Sequence, residues 1–298
     1  MKPIRSPFFY VGDKYKLVPQ LKDELPKYIN KLYEPFCGGG SVFLNVEAEE
    51  YHLNDIDINM IRLHKFLNSY KDNEEQFFLE IKNNIEEYGL SASYYGKVVP
   101  EQLKKDYVKT YYAKYNKIAY MKLRADYNNN KDNTILLYLL LIYGFNHMIR
   151  FNSVGNFNLP VGNVDFNNNV NNALKAYFKA AREKKVKFYN LDFEEFMDKF
   201  EFTIDDVVYL DPPYLITFSE YNKFWNSKEE ERLLNSLDGL SKKNVKFAIS
   251  NMVFQKGKYN AIFNYWAQKY SIVNINSNYI SYHDNTVKNS IEVLVKNY

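Results

Sequence analysis

Short apolar, β-rich runs recur along the chain, and nearly every one breaks off into residues suited to turns. Run 31–36 leads into Cys37-Gly38-Gly39-Gly40, run 51–53 into Asn54-Asp55, and run 186–189 into Asn190-Leu191-Asp192. Run 207–210 leads into Asp211-Pro212-Pro213-Tyr214 and run 245–249 into Ser250-Asn251, while runs 270–275 and 291–295 close the series. Segments with helical spacing, 56–66, 228–240 and 254–266, lie between several of them. Strands alternating with helices predict an α/β sheet, parallel in the main. Ligands of such sheets bind beyond the carboxyl ends of the strands, and that is where the Gly, Asp, Asn and Pro residues fall.

The alternation stops between about residues 66 and 185. A single crossover unit needs only about 30 residues, so this gap predicts an inserted domain. The expected division is one α/β domain built from 1–66 and 186–298, and a mainly helical insertion over 67–185. Within the insertion, 151–172 is rich in Asn and Gly and reads as loop, including the Asn-rich stretch 167–172. Residues 134–145 form the longest apolar run. It falls short of the roughly 20 residues that a bilayer requires and reads as a buried helix.

Between Lys97 and Arg124 there are eight basic residues (Lys97, Lys104, Lys105, Lys109, Lys114, Lys117, Lys122, Arg124) and two acidic ones, Glu101 and Asp106, with Tyr107, Tyr111, Tyr112, Tyr115 and Tyr120 interleaved. Such a stretch would neutralise phosphates; a solvated helix face in a lysine-rich protein looks the same. Aromatics make up 17% of the chain, which fits both the codon bias of an AT-rich genome and stacking platforms for bases.

With 46% apolar and 25% charged residues, the chain is a soluble globular protein and not a disordered one. The first ten residues hold no long apolar run, so no secretory leader is expected. The single cysteine, Cys37, excludes an internal disulfide framework and a cysteine-cluster zinc site, and places the chain in a reducing cytoplasm. The four histidines (His52, His64, His147, His283) show no metal-ligand spacing, so no metal is expected. No G-x-S-x-G elbow appears, which leaves serine-hydrolase chemistry without support.

Two motifs carry chemistry. In Glu34-Pro35-Phe36-Cys37-Gly38-Gly39-Gly40-Ser41-Val42-Phe43 a strand ends, a glycine turn follows and a helix opens. It is neither a P-loop nor G-x-G-x-x-G, the patterns that seat phosphates. A nucleoside without phosphate fits better, with Asp55 at the next strand end placed to accept hydrogen bonds from ribose hydroxyls. In Asp211-Pro212-Pro213-Tyr214, consecutive prolines remove two backbone donors and stiffen the chain. The Pro212 carbonyl and Asp211 then offer two acceptors beside the flat face of Tyr214, a set suited to the exocyclic –NH2 of a planar base. Each motif alone also fits an ordinary turn.

In one chain and in order stand Tyr10-x-Gly12-x-Lys14, Glu34-Pro35-Phe36-x-Gly38-x-Gly40-Ser41-x-Phe43, Asn54-Asp55 and Asp211-Pro212-Pro213-Tyr214. With them come Tyr143-Gly144-Phe145-Asn146, Arg150-Phe151-Asn152-x-x-Gly155-x-Phe157-Asn158-x-Pro160-x-Gly162 and Glu292-Val293-Leu294. This set resembles the Dam-type (D12 class, alpha-group) DNA adenine-N6 methyltransferases over nearly the whole chain.

The resemblance implies a Rossmann-like methyltransferase sheet with an inserted, mainly helical target-recognition domain. It implies S-adenosyl-L-methionine as cofactor and duplex DNA as partner. Tyr10 and Lys14 match the family's N-terminal cofactor loop. Phe36, Gly38 and Gly40 match the turn under the methionine part, Asp55 the ribose carboxylate, and Asp192 and Phe193 the adenine-contacting pair. Asp211, Pro212 and Tyr214 match the catalytic loop, where Asp211 also borders the cofactor and Tyr214 stacks on a flipped adenine. Phe145, Asn146, Arg150, Asn158 and Pro160 match a DNA-entering loop whose aromatic fills the flipped base's place and whose arginine reads a guanine. A cognate restriction endonuclease acting separately fits this reading, as does a monomer.

Three positions depart from the family pattern. Gly12-Asp13-Lys14 replaces Gly-Gly-Lys, and Asp284-Asn285-Thr286 replaces Gly-Gly-Thr. Phe9 stands where GATC-specific members often carry a lysine that touches the first base pair. An aromatic there cannot contact that guanine, which counts against GATC as the target. Two other readings of the chain are a methyltransferase of RNA or protein amides using the same proline turn, and a non-enzymatic nucleic-acid binder.

Overall fold

The β-rich runs assemble into one sheet in the computed structural model, which describes residues 2–217, 225–276 and 290–298. Its strands are β1 (Lys31–Glu34), β2 (Glu50–Asn54), β3 (Val186–Tyr189), β4 (Val207–Leu210), β5 (Lys246–Gln255), β6 (Lys258–Tyr259), β7 (Ser271–Ile275) and β8 (Ser290–Lys296). They lie in the order β3-β2-β1-β4-β5-β8-β7, with β6 paired to β5. The β1–β5 neighbours run parallel, and β8 is antiparallel to both β5 and β7. This is a mixed α/β fold with a mostly parallel central sheet.

Burial follows that order. Val207–Leu210 is buried along its whole length in the middle of the sheet, whereas the edge strands β3 and β7 are half exposed. A strand covered on both faces needs a continuous apolar run, and an edge does not. Side chains of Val208, Leu210, Phe247 and Ile249 form one core with Leu233 and Leu237 of the helix Ser227–Lys242 and with Phe263 and Trp266. Successive strands proceed outward from β1 through β2 to β3, then resume on the other side of β1 with β4 and β5. The order therefore reverses between β1 and β4, and a crevice opens beyond the carboxyl ends of strands at such a reversal.

The chain divides into two compact units. One comprises Lys14–Asp57 and Lys184–Tyr298 and carries the sheet; the other comprises Lys2–Asp13 and Ile58–Glu183. The second unit is helical, with Ile58–Ser69, Glu74–Tyr88, Glu101–Asp106, Tyr111–Asn129, Thr134–Tyr143 and Asn168–Glu183. Thr134–Tyr143 is buried from Leu136 to Tyr143 and packs against Tyr111–Asn129 and Ile58–Ser69. Its two buried hydroxyls are satisfied, Tyr138 donating to the Pro7 carbonyl at 3.1 Å and Tyr143 to the Ser91 carbonyl at 2.7 Å. Among the described residues no helix is long and apolar enough to cross a membrane.

Three local expectations are corrected. Ser250 and Asn251 do not end a strand; β5 continues to Gln255. Their polar groups are satisfied inside the protein, Ser250 Oγ by Tyr209 at 2.9 Å and the Asn251 amide by Glu230 at 3.0 Å. The helix expected over 254–266 is confined to Ala261–Ala267, because Lys256 and Gly257 adopt positive φ (49° and 80°) and turn the chain into the β5–β6 hairpin. Residues 168–172 are also helical rather than loop. The Asn167 side chain accepts the N–H groups of Asn169 (2.9 Å) and Val170 (3.3 Å), starting a helix that buries Val170, Ala173, Leu174, Tyr177 and Phe178.

Candidate active site

The buried amide of Asn54, the last residue of β2, ties three strand ends together. Its Nδ2 donates to the Pro35 and Leu191 carbonyls, both at 3.0 Å, and its Oδ1 accepts the Leu191 N–H at 2.9 Å. Its own carbonyl takes the Cys37 N–H at 2.8 Å. The turn so anchored places Gly38 and Gly40 at φ 45° and 75°, a region that favours glycine. Asp55 closes the arrangement from the β2 side, accepting the Gly38 N–H through Oδ2 and the Asp57 N–H through Oδ1, both at 2.9 Å. Burial pushes its carboxyl up to about 6 against the pull of those N–H groups. Asn190 holds the far side, donating to the Asp55 carbonyl at 2.8 Å. Beneath the turn, burial raises the Glu34 carboxyl to about 8.

Aromatic rings gather at the ends of β1 and β3. Phe36 meets Phe193 at 5.5 Å between centroids and Trp225 edge-on at 5.7 Å. Asp192 caps the helix Phe193–Asp198 by accepting the Glu194 N–H at 2.9 Å. Its other oxygen is held by Arg232. The Arg232 guanidinium also pairs with Glu194 and Glu229, each at 2.8 Å, and lies 4.3 Å over the Phe193 ring.

Beyond β4, Asp211 sits in a charged corner. Lys14 Nζ is 2.8 Å from Asp211 Oδ1 and 3.7 Å from Glu292 Oε1 on β8. The Tyr214 hydroxyl is 2.7 Å from Glu292 Oε1 and 3.1 Å from Asp211 Oδ1, and Lys14 lies 4.9 Å from the Tyr214 ring centroid. Burial raises the Asp211 carboxyl, with Lys14 opposing the shift. Both contacts of Asp211 fall on Oδ1, and among the described residues none is bonded to Oδ2. None of them donates to the Pro212 carbonyl either.

The second unit carries a folded-back arm over 144–162. Gly144 bridges Val161, Phe151 bridges Phe157, and the N–H groups of Phe145 and Asn158 bond the Pro160 and Arg150 carbonyls, both at 3.0 Å. Asn128 receives the Phe157 N–H at 2.7 Å, and Arg124 donates to the Leu159 carbonyl at 3.2 Å. A Cβ on Gly144 would stand 2.5 Å from the Leu140 carbonyl oxygen, and one on Gly162 2.5 Å from that of Gly144, so both positions exclude a side chain. Phe145 is 51% exposed at the start of the arm. Arg150 is clamped by Asn158, Nε to Oδ1 at 2.9 Å and Nη2 to the carbonyl at 3.0 Å. Phe9, Asn146 and His147 all have φ near 50°. Phe9 lies 5.2 Å from His147 and under the Arg5 guanidinium at 4.5 Å.

Within the first unit the structure thus gathers Lys14, Phe36, Gly38, Gly40, Asp55, Asp192, Phe193, Asp211, Pro212 and Tyr214 at strand carboxyl ends. Within the second it gathers Phe145, Asn146, Arg150, Asn158 and Pro160 on one arm. Tyr10 belongs to the second unit. Asp284, Asn285, Thr286 and His283 lie outside the described residues. Arg124 and Tyr120 leave the basic, aromatic surface read along 97–124, Arg124 bonding the arm and Tyr120 lying buried with its hydroxyl on the Leu140 carbonyl. Trp225, Arg232 and the anchoring role of Asn54 were not anticipated. Glu292 appeared only as part of a matching strand, with no partner in view.

The chain belongs to the D12 class N6 adenine-specific DNA methyltransferase family, whose model matches residues 10–280. It is 33% identical to the modification methylase StsI of Streptococcus sanguinis, over 100% of this chain and 43% of that protein. It is 34% identical to the type II methyltransferase M.FokI of Planomicrobium okeanokoites, over 99% and 43%. It is 28% identical to the DNA adenine methylase of Escherichia coli K12, over 84% and 82%. The chain therefore spans less than half the length of the first two relatives.

Replacing Asn54 by Ala strands the Pro35 and Leu191 backbone groups without their partner. A buried unsatisfied group costs about 1–3 kcal/mol, so Asn54→Ala is expected to lower stability by about 3 kcal/mol in urea unfolding, with the m value unchanged.

Proposed function

We propose that the chain transfers the methyl group of S-adenosylmethionine to N6 of a flipped adenine in duplex DNA, acting as a cytoplasmic monomer. The sheet-bearing unit is the catalytic domain in this reading, and the second unit reads the target. The observation that carries it is the Asp211–Pro212 acceptor pair beside Tyr214, at the strand ends where the order reverses.

The residues fit the cofactor. A carboxylate and not a cation stands at the glycine turn, which disfavours a pyrophosphate and suits ribose hydroxyls on Asp55. Phe36, Phe193 and Trp225 offer apolar walls for an adenine ring, with Asp192 at their edge, and Lys14 offers charge for the methionine carboxylate. S-adenosylmethionine supplies, when bound, an electrophilic methyl on a good leaving group.

The exocyclic nitrogen of adenine is a poor nucleophile because its lone pair is delocalised into the ring. Hydrogen bonds from its two protons to Asp211 Oδ2 and the Pro212 carbonyl make it more pyramidal and localise that pair. Asp211 is the stronger acceptor, and can take up a proton, when ionised, and Lys14 favours that form against burial. The loss of one N6 proton follows methylation, with Asp211 in place to receive it. A base inside a duplex is out of reach of these groups and must be extruded. Phe145, exposed on the arm, would occupy the vacated place. One relative is named a modification methylase and another a type II methyltransferase, and a modification role beside a separately acting endonuclease is proposed here.

Asp211→Ala is expected to fold and to lose methyl transfer by at least about 100-fold, measured with labelled cofactor on unmethylated duplex DNA and on RNA. Transfer to RNA alone, or a variant as active as wild type, would refute the assignment.

Asp55 predicts a pH dependence. Its carboxyl, raised to about 6, loses charge below that value, and a neutral acid is the weaker acceptor for ribose hydroxyls. Cofactor affinity should hold above pH 6 and fall below it, by at most about tenfold per unit. Calorimetry showing a flat profile from pH 5 to 7 would exclude Asp55 from the ribose.

Arginine's planar fork matches O6 and N7 of guanine, worth about 1–3 kcal/mol of discrimination. Arg150→Ala should therefore lower kcat/KM more on the cognate site than on sites altered at one guanine. Asn158→Ala, which removes the Oδ1 half of the clamp and keeps its carbonyl half, should weaken discrimination at the same position. Equal losses on all duplexes would mean that Arg150 contacts phosphate instead.

A further inference from the structure

Glu292 is a second carboxylate in the Asp211 corner and is 1% exposed in the interior of β8. Its neighbours Val293, Leu294 and Val295 are buried apolar residues. A buried charge costs stability, and an apolar residue of similar volume is often neutral or better at such a position. Strand formation alone therefore gives no reason for a carboxylate at 292.

Its contacts give one. The Tyr214 phenol has a single proton and stands between two acceptors, 2.7 Å from Glu292 Oε1 and 3.1 Å from Asp211 Oδ1. The shorter contact is to Glu292, so the hydroxyl is anchored on β8 and only weakly shared with Asp211. Lys14 is likewise divided, at 2.8 Å from Asp211 and 3.7 Å from Glu292. The same ammonium covers one face of the Tyr214 ring at 4.9 Å.

Without Glu292 the phenol and the ammonium would have Asp211 as their shared acceptor. Asp211 Oδ2 would then be drawn toward them, and the Tyr214 ring would lose the bond that sets its plane. We propose that Glu292 is a positioning residue for methyl transfer. By holding the Tyr214 hydroxyl and sharing Lys14, it keeps both on the Oδ1 side of Asp211 and leaves Oδ2 to the substrate base. This rests on the methyl-transfer reading of Asp211.

The test is a double-mutant cycle in single-turnover methyl transfer to duplex DNA free of N6-methyladenine. Glu292→Met removes the acceptor while filling its volume, Glu292→Gln keeps an acceptor for the phenol, and Tyr214→Phe removes the hydroxyl while keeping the ring. Expected is a loss of about 10–100-fold in rate for Glu292→Met and for Tyr214→Phe, with cofactor affinity within about threefold of wild type. The pair combined should be no slower than the slower single variant within about threefold, because both remove one bond. Glu292→Gln should transfer at least about threefold faster than Glu292→Met and melt within a few degrees of wild type. A Glu292→Met rate equal to wild type, multiplicative losses in the pair, or a Gln variant as slow as Met would overturn the proposal while leaving the role of Asp211 standing. Should Asp211→Ala transfer as fast as wild type in the same assay, the methyl-transfer reading fails and this inference fails with it.

Discussion

The first unit's site hangs on one buried amide. Asn54 bonds the chain leaving β1 and the chain leaving β3, and does so from the end of β2. Backbone groups at strand ends have no ladder partners, and burying them unpaired is costly. A carboxamide carries both donors and an acceptor, and so satisfies Pro35 and Leu191 together. The left-handed glycines, the Asp55 carboxylate and the aromatic wall of Phe36 and Phe193 are all placed by segments that this side chain ties down.

A second constraint is charge balance. In the corner beyond β4 two carboxylates and a phenol share the ammonium of Lys14. The arrangement leaves the corner rich in acceptors, which suits the hydrogen-bond role proposed for Asp211 and disfavours phosphate. Arg232 does the opposite work at the end of β3. It pairs with Asp192, Glu194 and Glu229 together and covers a face of Phe193, which holds that ring in place beside the acidic cluster.

What the sequence revealed depended on whether a residue's role was local. Strand ends were legible because Gly38, Gly40 and Asp211-Pro212-Pro213 disfavour strand continuation by their own backbone chemistry. Ser250 and Asn251 misled because they are polar and look like a turn. Their partners, Tyr209 and Glu230, are remote in the chain, and only those bonds make a buried strand position tolerable. Asn167–Asn172 misled in the same way, since an asparagine caps a helix as readily as it loops. Glu292 belongs to this class too: in sequence it is one charge in an apolar strand, and its meaning lies in Tyr214 and Lys14.

The second unit shows how a loop is made rigid. The arm over 144–162 is pinned by backbone bridges and by Asn128 and Arg124 from the adjacent helix. It leaves that helix bundle through Asn146 and His147, both left-handed, with Phe9 in the same strained conformation packed against His147. Each such residue costs about 1–3 kcal/mol and persists only where its surroundings impose it. Here the imposition comes from close packing at Gly144 and Gly162, where no Cβ fits. Strain held by tight packing fixes the exit direction of Phe145. The Asn158 clamp holds two of the Arg150 guanidinium nitrogens and leaves Nη1 without a partner among the described residues. A preorganised side chain loses less entropy on binding than a mobile one, so the arm is built to favour geometry over adaptability at the point where it would meet a base.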